Sequence, residues 1–98
     1  MKILAIETEV PGVPDEAFEP LLRDEAARAW ELHQAGVVRE LYFRDDRHEA
    51  VLVLECESVR AAQEALATLP LVRSGLIRFD LIPLRPYPGF ERLFHGPR

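Results

Sequence analysis

The chain of 98 residues has a single cysteine, Cys56, so an internal disulfide is excluded. A lone cysteine is typical of proteins in a reducing compartment, and we therefore expect a cytoplasmic location. Long hydrophobic segments are also missing, because the longest unbroken apolar run covers only residues 50–54. A membrane-spanning helix needs roughly 20 such residues. The sequence thus predicts neither a disulfide framework nor a membrane-spanning helix.

Positive charge is scarce as well. Lysine and arginine total 12 against 17 aspartates and glutamates, which gives a net charge of −5, and the basic residues are not clustered. This balance argues against a nucleic-acid partner or an anionic membrane surface. The three histidines, His33, His48 and His95, lack the spacing of metal ligands, and the sequence has no glycine-rich phosphate loop. We therefore expect neither a metal nor an organic cofactor.

Hydrophobic residues make up 48% of the chain, enough for one core, and we expect one domain over residues 1–98. The patterns predict strands over residues 2–9, 37–44, 48–57 and 76–82. They also predict a helix from Asp15 or Glu19 to residue 35, ended by Gly36, and a second from Ser58 to residue 68, ended by Pro70. This β-α-β-β-α-β order is the ferredoxin-like arrangement of the α+β class, with a four-stranded antiparallel sheet.

The predicted sheet is apolar on both faces. In the third strand, for example, Leu52 and Leu54 lie on one face and Val51 and Val53 on the other. Two helices can cover only one face, and an exposed apolar patch of this kind marks an interface. We therefore expect two sheets to pair face to face in a homodimer or a ring of dimers. The irregular tail, residues 83–98, is expected to contact the partner subunit.

Two polar residues interrupt the apolar side of the first predicted helix. Glu25 and His33 lie eight residues apart in the same row, with Ala29 between them. A glutamate facing the sheet would be partly desolvated, which raises its pKa and suits a general base beside a carbonyl. The alternative is a glutamate paired with an arginine at the helix edge. His33 is either a proton carrier or a helix-end residue bonded to a backbone carbonyl.

The second strand offers two further candidates. Arg39 would bind a substrate carboxylate through two hydrogen bonds, or alternatively form a structural salt bridge. Tyr42 would donate a hydrogen bond to a substrate oxygen, or its hydroxyl would lie at the rim of the core.

Part of the sequence resembles the muconolactone isomerase family, whose fold is the dimeric α+β barrel. The likeness covers roughly residues 23–86 and is most distinctive after the second helix. The residues that carry it are Asp24, Glu25, Ala29, Leu32, Gly36, Arg39, Leu41, Ser58, Val59 and the triplet Leu69-Pro70-Leu71.

The resemblance implies a cofactor-independent isomerase that moves a proton beside the carbonyl of a small lactone or related acid. Members of this family assemble into rings of dimers. In that reading Glu25 is the base, Arg39 anchors the substrate, and Tyr42 or His33 stabilises the oxyanion. A first alternative is a cofactor-independent monooxygenase or a YCII-like enzyme of the same fold, in which Trp30 flanks an aromatic substrate. A second alternative is a non-catalytic binding or assembly module.

Overall fold

The computed structural model describes residues 1–94 and contains a four-stranded antiparallel sheet packed against helices. The strands are β1 (Lys2–Glu9), β2 (Val38–Phe43), β3 (Ala50–Glu55) and β4 (Ile77–Pro83). The helices are α1 (Leu22–Gln34), α2 (Val59–Leu66) and α3 (Pro70–Arg73). The sheet order β2-β3-β1-β4 has β1 and β3 at its centre, which confirms the ferredoxin-like α+β fold.

Helix α1 begins later than the sequence predicts. Two 3₁₀ turns, Asp15–Ala17 and Glu19–Leu21, precede it, and the regular helix starts only at Leu22. Pro20 lies in the first turn of the second 3₁₀ segment, where its missing N–H costs no intrahelical hydrogen bond. The end of α1 is as predicted: Gly36 has a φ of 78°, in the left-handed region that favours glycine.

The second predicted helix corresponds to α2, and the additional short helix α3 follows it. Ser58 is its N-cap, as expected, because the Ser58 Oγ accepts a hydrogen bond from Ala61 N at 3.0 Å. Helix α2 stops at Leu66, and Pro70 then occupies the first turn of α3, where its fixed φ suits a helix start. The second helix therefore stops before Pro70, as predicted, but this proline also begins a short further helix that the sequence did not predict.

The core lies between the helices and one face of the sheet, which we call the inner face. The pairing of β1 with β3 shows which residues share this face, because Ile3 is opposite Leu54 and Ala5 is opposite Leu52. The buried residues of the core come from β1, α1, β2, β3, α2 and the α2–α3 link: Ile3, Ala5, Leu32, Val38, Leu52, Leu54, Ala62, Leu66 and Leu69.

The opposite face of the sheet, which we call the outer face, is also apolar at its centre. Leu4 is opposite Val53 on one side and Ile82 on the other, and Ile6 is opposite Val51. None of these five residues belongs to the buried core. The prediction of a sheet with two apolar faces is therefore confirmed for the single chain.

The chain after β4 extends away from the body of the protein. The radius of gyration is 16.8 Å, against about 13 Å for a compact domain of this length. A 3₁₀ turn over Gly89–Leu93 matches the helical spacing of Phe90 and Leu93, and the Phe90 side chain is 65% exposed. His95 and the rest of residues 95–98 lie outside the described part of the chain. Within the described part, no helix is long and apolar enough to cross a membrane.

Candidate active site

A cavity of about 670 Å³ lies between α1 and the inner face of the sheet. Its volume is within the range of small-molecule sites in proteins, roughly 300–1,000 Å³. The helix contributes Ala26 and Ala29, whose short side chains leave space that larger residues would fill. The apolar part of the lining consists of Phe18, Leu22, Ala26, Ala29, Leu41, Phe43, Ala50, Leu52, Leu69, Leu71 and Phe79.

Glu25 lines this cavity from the helix side, as its position in the apolar stripe predicts. Its Oε1 accepts a hydrogen bond from Leu71 N at 2.9 Å, so α3 holds the carboxylate in place. Leu71 follows Pro70 in the first turn of α3, where backbone N–H groups have no intrahelical partner. Burial raises the pKa of the half-buried Glu25, and the Leu71 hydrogen bond partly opposes this effect.

A second carboxylate, Glu7, lines the cavity from the sheet side and was not among the residues predicted from the sequence. Its exposed fraction is only 8%, and its Oε1 accepts a hydrogen bond from Ala50 N at 3.2 Å. Burial raises the Glu7 pKa most strongly, the Ala50 bond lowers it, and the charges of Glu9 and Glu49 raise it further. The signal in the sequence was the alternation of β1, which gives Glu7 the same face as Ile3 and Ala5.

The remaining charged groups around the cavity are mostly acidic. Glu9, Asp15 and Glu19 line it together with the two buried glutamates, and His48 is the one basic side chain among the lining residues. His48 stacks on Phe43 with a distance of 4.3 Å between ring centroids. The cavity therefore combines an apolar interior with a negative electrostatic potential.

Tyr42 borders the cavity, but its side chain lies on the outer face of the sheet. Register places Tyr42 opposite Val51, whereas its neighbours Leu41 and Phe43 are opposite the inner-face residues of β3. The Tyr42 hydroxyl donates a hydrogen bond to Glu40 Oε1 at 2.7 Å. This placement agrees better with the alternative drawn from the sequence, in which the Tyr42 hydroxyl lies at the rim of the core, than with a hydrogen bond to a substrate.

Three other predicted residues do not line the cavity. Arg39 is exposed, and its Nε donates a hydrogen bond to Gly36 O at 2.6 Å. His33 is also exposed, and its Nδ1 lies 2.9 Å from Val38 O, as the alternative of a bond to a backbone carbonyl predicts. Trp30 is 59% exposed and packs beside His33. Thus the structure brings Glu25 and the backbone region of Tyr42 to one cavity and leaves these three outside its lining.

Burial raises the pKa of the Cys56 thiol, which fits a small apolar residue better than a nucleophile. Among residues 1–94, no group of three or more histidine, cysteine, aspartate or glutamate side chains is arranged to hold a metal ion. The side chains available for chemistry in the cavity are therefore its carboxylates and His48.

The fold and the cavity together define a class: small ferredoxin-like α+β proteins with a carboxyl-lined cavity between the first helix and the sheet. The sequence of residues 3–89 matches the family model described as muconolactone delta-isomerase, and the chain belongs to this family. The structure is similar to a crystal structure of muconolactone isomerase, with a TM-score of 0.71 and 25% sequence identity. That match covers 90% of this chain and 92% of the other. The comparison with curated protein sequences gives no significant match.

Proposed function

We propose that this protein is a cofactor-independent isomerase that moves a proton beside the carbonyl group of a small unsaturated lactone. The observation that carries the proposal is the position of Glu25 on the wall of the cavity, with one carboxylate oxygen held by Leu71 N. Membership of the muconolactone delta-isomerase family supports the same reaction class. Reduced hydration of the carboxylate makes Glu25 a stronger base, because the protonated form becomes more favourable.

The proposed reaction begins when the Glu25 carboxylate removes the acidic proton of the lactone. In a β,γ-unsaturated lactone such as α-angelica lactone this proton is on the carbon beside the carbonyl, and in an α,β-unsaturated lactone such as muconolactone it is on the ring carbon that bears the side chain. The electron pair of the broken C–H bond moves onto the carbonyl oxygen and forms an enolate conjugated with the ring double bond. Glu25 then returns the proton to the other end of this conjugated system. The double bond has moved, and the atomic composition of the lactone is unchanged.

The geometry supports this function better than the alternatives drawn from the sequence. A volume of about 670 Å³ is enough for a ligand of ten or more heavy atoms, which argues against a module without a ligand site. Trp30, the residue that would flank an aromatic substrate in a monooxygenase, does not line the cavity. Arg39 and His33, to which the sequence gave substrate-binding and oxyanion roles in the isomerase itself, would have to leave their backbone partners to reach a lactone there. The proposal therefore does not depend on them.

The test is isomerisation of unsaturated lactones, with muconolactone and α-angelica lactone as substrates, followed by NMR. Because a positioned general base contributes about 10²–10⁴-fold to a rate, E25Q should lose at least about 100-fold in kcat. The control is E64Q, which removes the same charge from an exposed glutamate of α2. An E25Q variant as active as E64Q, or a wild-type protein inactive on both lactones, would contradict the proposal.

A further inference from the structure

The two buried glutamates of the cavity come from opposite walls. Glu7 belongs to β1 at the centre of the sheet, and Glu25 belongs to α1, which packs above it. Each has one carboxylate oxygen engaged by a backbone N–H, that of Ala50 for Glu7 and that of Leu71 for Glu25. Both carboxyl groups are thus held by the fold, and both residues line the same cavity.

The second oxygen of Glu7 is available to such a ligand. Among residues 1–94, no side-chain oxygen is both fully buried and without a hydrogen-bond partner. The Glu7 Oε2 accepts no hydrogen bond within this part of the chain, so this oxygen is not fully buried, and the residue lines the cavity. Glu7 as a whole residue is only 8% exposed, and a polar ligand group in the cavity would give this oxygen the partner that buried polar atoms usually have.

The surroundings of the two glutamates give them different roles. Glu7 is the more buried, and the neighbouring carboxylates of Glu9 and Glu49 disfavour its negative charge, against a smaller opposite effect of His48. Glu25 is half-buried and is perturbed by desolvation and the Leu71 bond alone. Glu7 is therefore the better candidate for a protonated carboxyl that donates a hydrogen bond, and Glu25 for the ionised base.

The charge of the cavity lining restricts the substrate. Five carboxyl side chains line the cavity, those of Glu7, Glu9, Asp15, Glu19 and Glu25, and no lysine or arginine does. A substrate that carries its own carboxylate would meet like charges in a partly desolvated site. Arg39, expected from the sequence to bind such a carboxylate, lies outside this lining.

We infer, on the basis of the function proposed above, that the substrate is an uncharged carbonyl compound and that Glu7 is a second catalytic residue. As Glu25 takes the C–H proton, the Glu7 carboxyl gives its proton to the carbonyl oxygen, and an enol forms. In the second half-reaction Glu25 returns its proton to carbon, the carbonyl re-forms, and Glu7 recovers its proton from oxygen. Both carboxyl groups end in their initial state, so the step needs no further reactant.

The experiment compares two lactones on the wild type, E7Q, E25Q and the control E64Q. Muconolactone carries a carboxymethyl group, whereas α-angelica lactone carries a methyl group and no charge. We expect kcat/KM to be at least about tenfold higher for α-angelica lactone at low ionic strength, with a smaller preference at high salt, because salt screens the repulsion. E7Q should retain its fold by circular dichroism and lose about 100-fold in kcat on the neutral lactone, since its amide cannot transfer a proton.

The outcomes separate this inference from the function on which it rests. Equal or better turnover of muconolactone, with E25Q still inactive, would overturn the uncharged substrate and leave the isomerase proposal standing. A folded E7Q variant with the kcat of the wild type would overturn the role of Glu7. Should E7Q not fold, E7D serves instead, because it keeps the carboxyl group but withdraws it by one methylene and should also lower kcat. Inactivity of the wild type on both lactones would overturn the proposed function and this inference together.

Discussion

At the scale of single residues, the proposed chemistry depends on two glutamates whose ionisation folding disfavours. Burial raises the pKa of both Glu7 and Glu25, and a backbone hydrogen bond opposes the shift in each case. A group whose pKa rises on folding binds its proton more tightly in the folded state than in the unfolded state. These two carboxyl groups therefore reduce the stability of the protein at neutral pH, as catalytic groups commonly do.

The Glu7 side chain gives a stability prediction with a definite sign. The folded state favours protonated Glu7, so its contribution is fully present below the unfolded pKa of about 4.3 and is lost as pH rises through the folded pKa. E7Q removes this loss, and its free energy of unfolding at pH 7 should exceed that of the wild type. The gain should disappear near pH 4. Urea unfolding across this pH range measures it, and a gain that is independent of pH would contradict the assignment.

Sequence reasoning located the site only in part, and the reasons are physical. The helical repeat placed Glu25 correctly, because a 3.6-residue period is insensitive to the late start of α1. His33, in the same row, lies in the last turn of α1, just before the chain enters β2, and its side chain reaches the backbone carbonyl of Val38 instead. The register of β2 shifts between Val38 and Glu40, and this shift determines the face of the sheet on which Arg39 and Tyr42 lie. No pattern in the sequence predicts it.

At the scale of the elements, Pro70 determines where α3 begins. It thereby also determines where the Leu71 N–H is available to donate to Glu25. The sequence predicted the four strands within one or two residues at each end, but it did not distinguish a proline that ends a helix from one that begins the next. The hairpin loop is also wider than predicted, and the Arg44 N donates a hydrogen bond to Glu49 O at 2.9 Å across it. Local signals of this kind fix element boundaries less well than element type.

The N-cap of α2 permits a direct measurement at this scale. Ser58 accepts a hydrogen bond from Ala61 N, and α2 buries Ala62 and Leu66 in the core. We expect S58A to lower the free energy of unfolding by about 1 kcal/mol, the usual effect of losing a serine cap. S74A, at an exposed position after α3, is the matched control and should change stability by less than about 0.5 kcal/mol. Similar effects of the two substitutions would contradict the capping role of Ser58.

At the scale of the whole molecule, two apolar surfaces have no cover within the described chain. One is the outer face of the sheet, with Leu4, Ile6, Val51, Val53 and Ile82. The other is the extended tail, where Leu93 and Phe94 are 75% and 83% exposed. Contiguous exposed apolar surface of this kind is characteristic of protein interfaces. We propose that a second copy of the chain, paired sheet to sheet and held by the tail, covers both surfaces.

The assembly prediction is tested by the molar mass in solution at micromolar concentration, measured by light scattering. We expect at least a dimer for the wild type. V53K places a charge on the outer face, because Val53 pairs with Leu4 at the centre of the sheet, and should give a monomer. Q63K adds the same charge at an exposed position of α2 and should leave the assembly intact. A wild-type monomer, or a V53K variant that assembles like Q63K, would contradict the sheet-to-sheet pairing.

A crystal structure of the protein with bound γ-butyrolactone, a saturated lactone that cannot isomerise, would show whether Glu7 and Glu25 share one ligand. We expect the lactone ring in the cavity between α1 and the sheet, with its carbonyl oxygen at Glu7 Oε2 and a carbon beside the carbonyl facing Glu25. A lactone bound elsewhere, or bound in the cavity with Glu25 turned away from it, would contradict the proposed site.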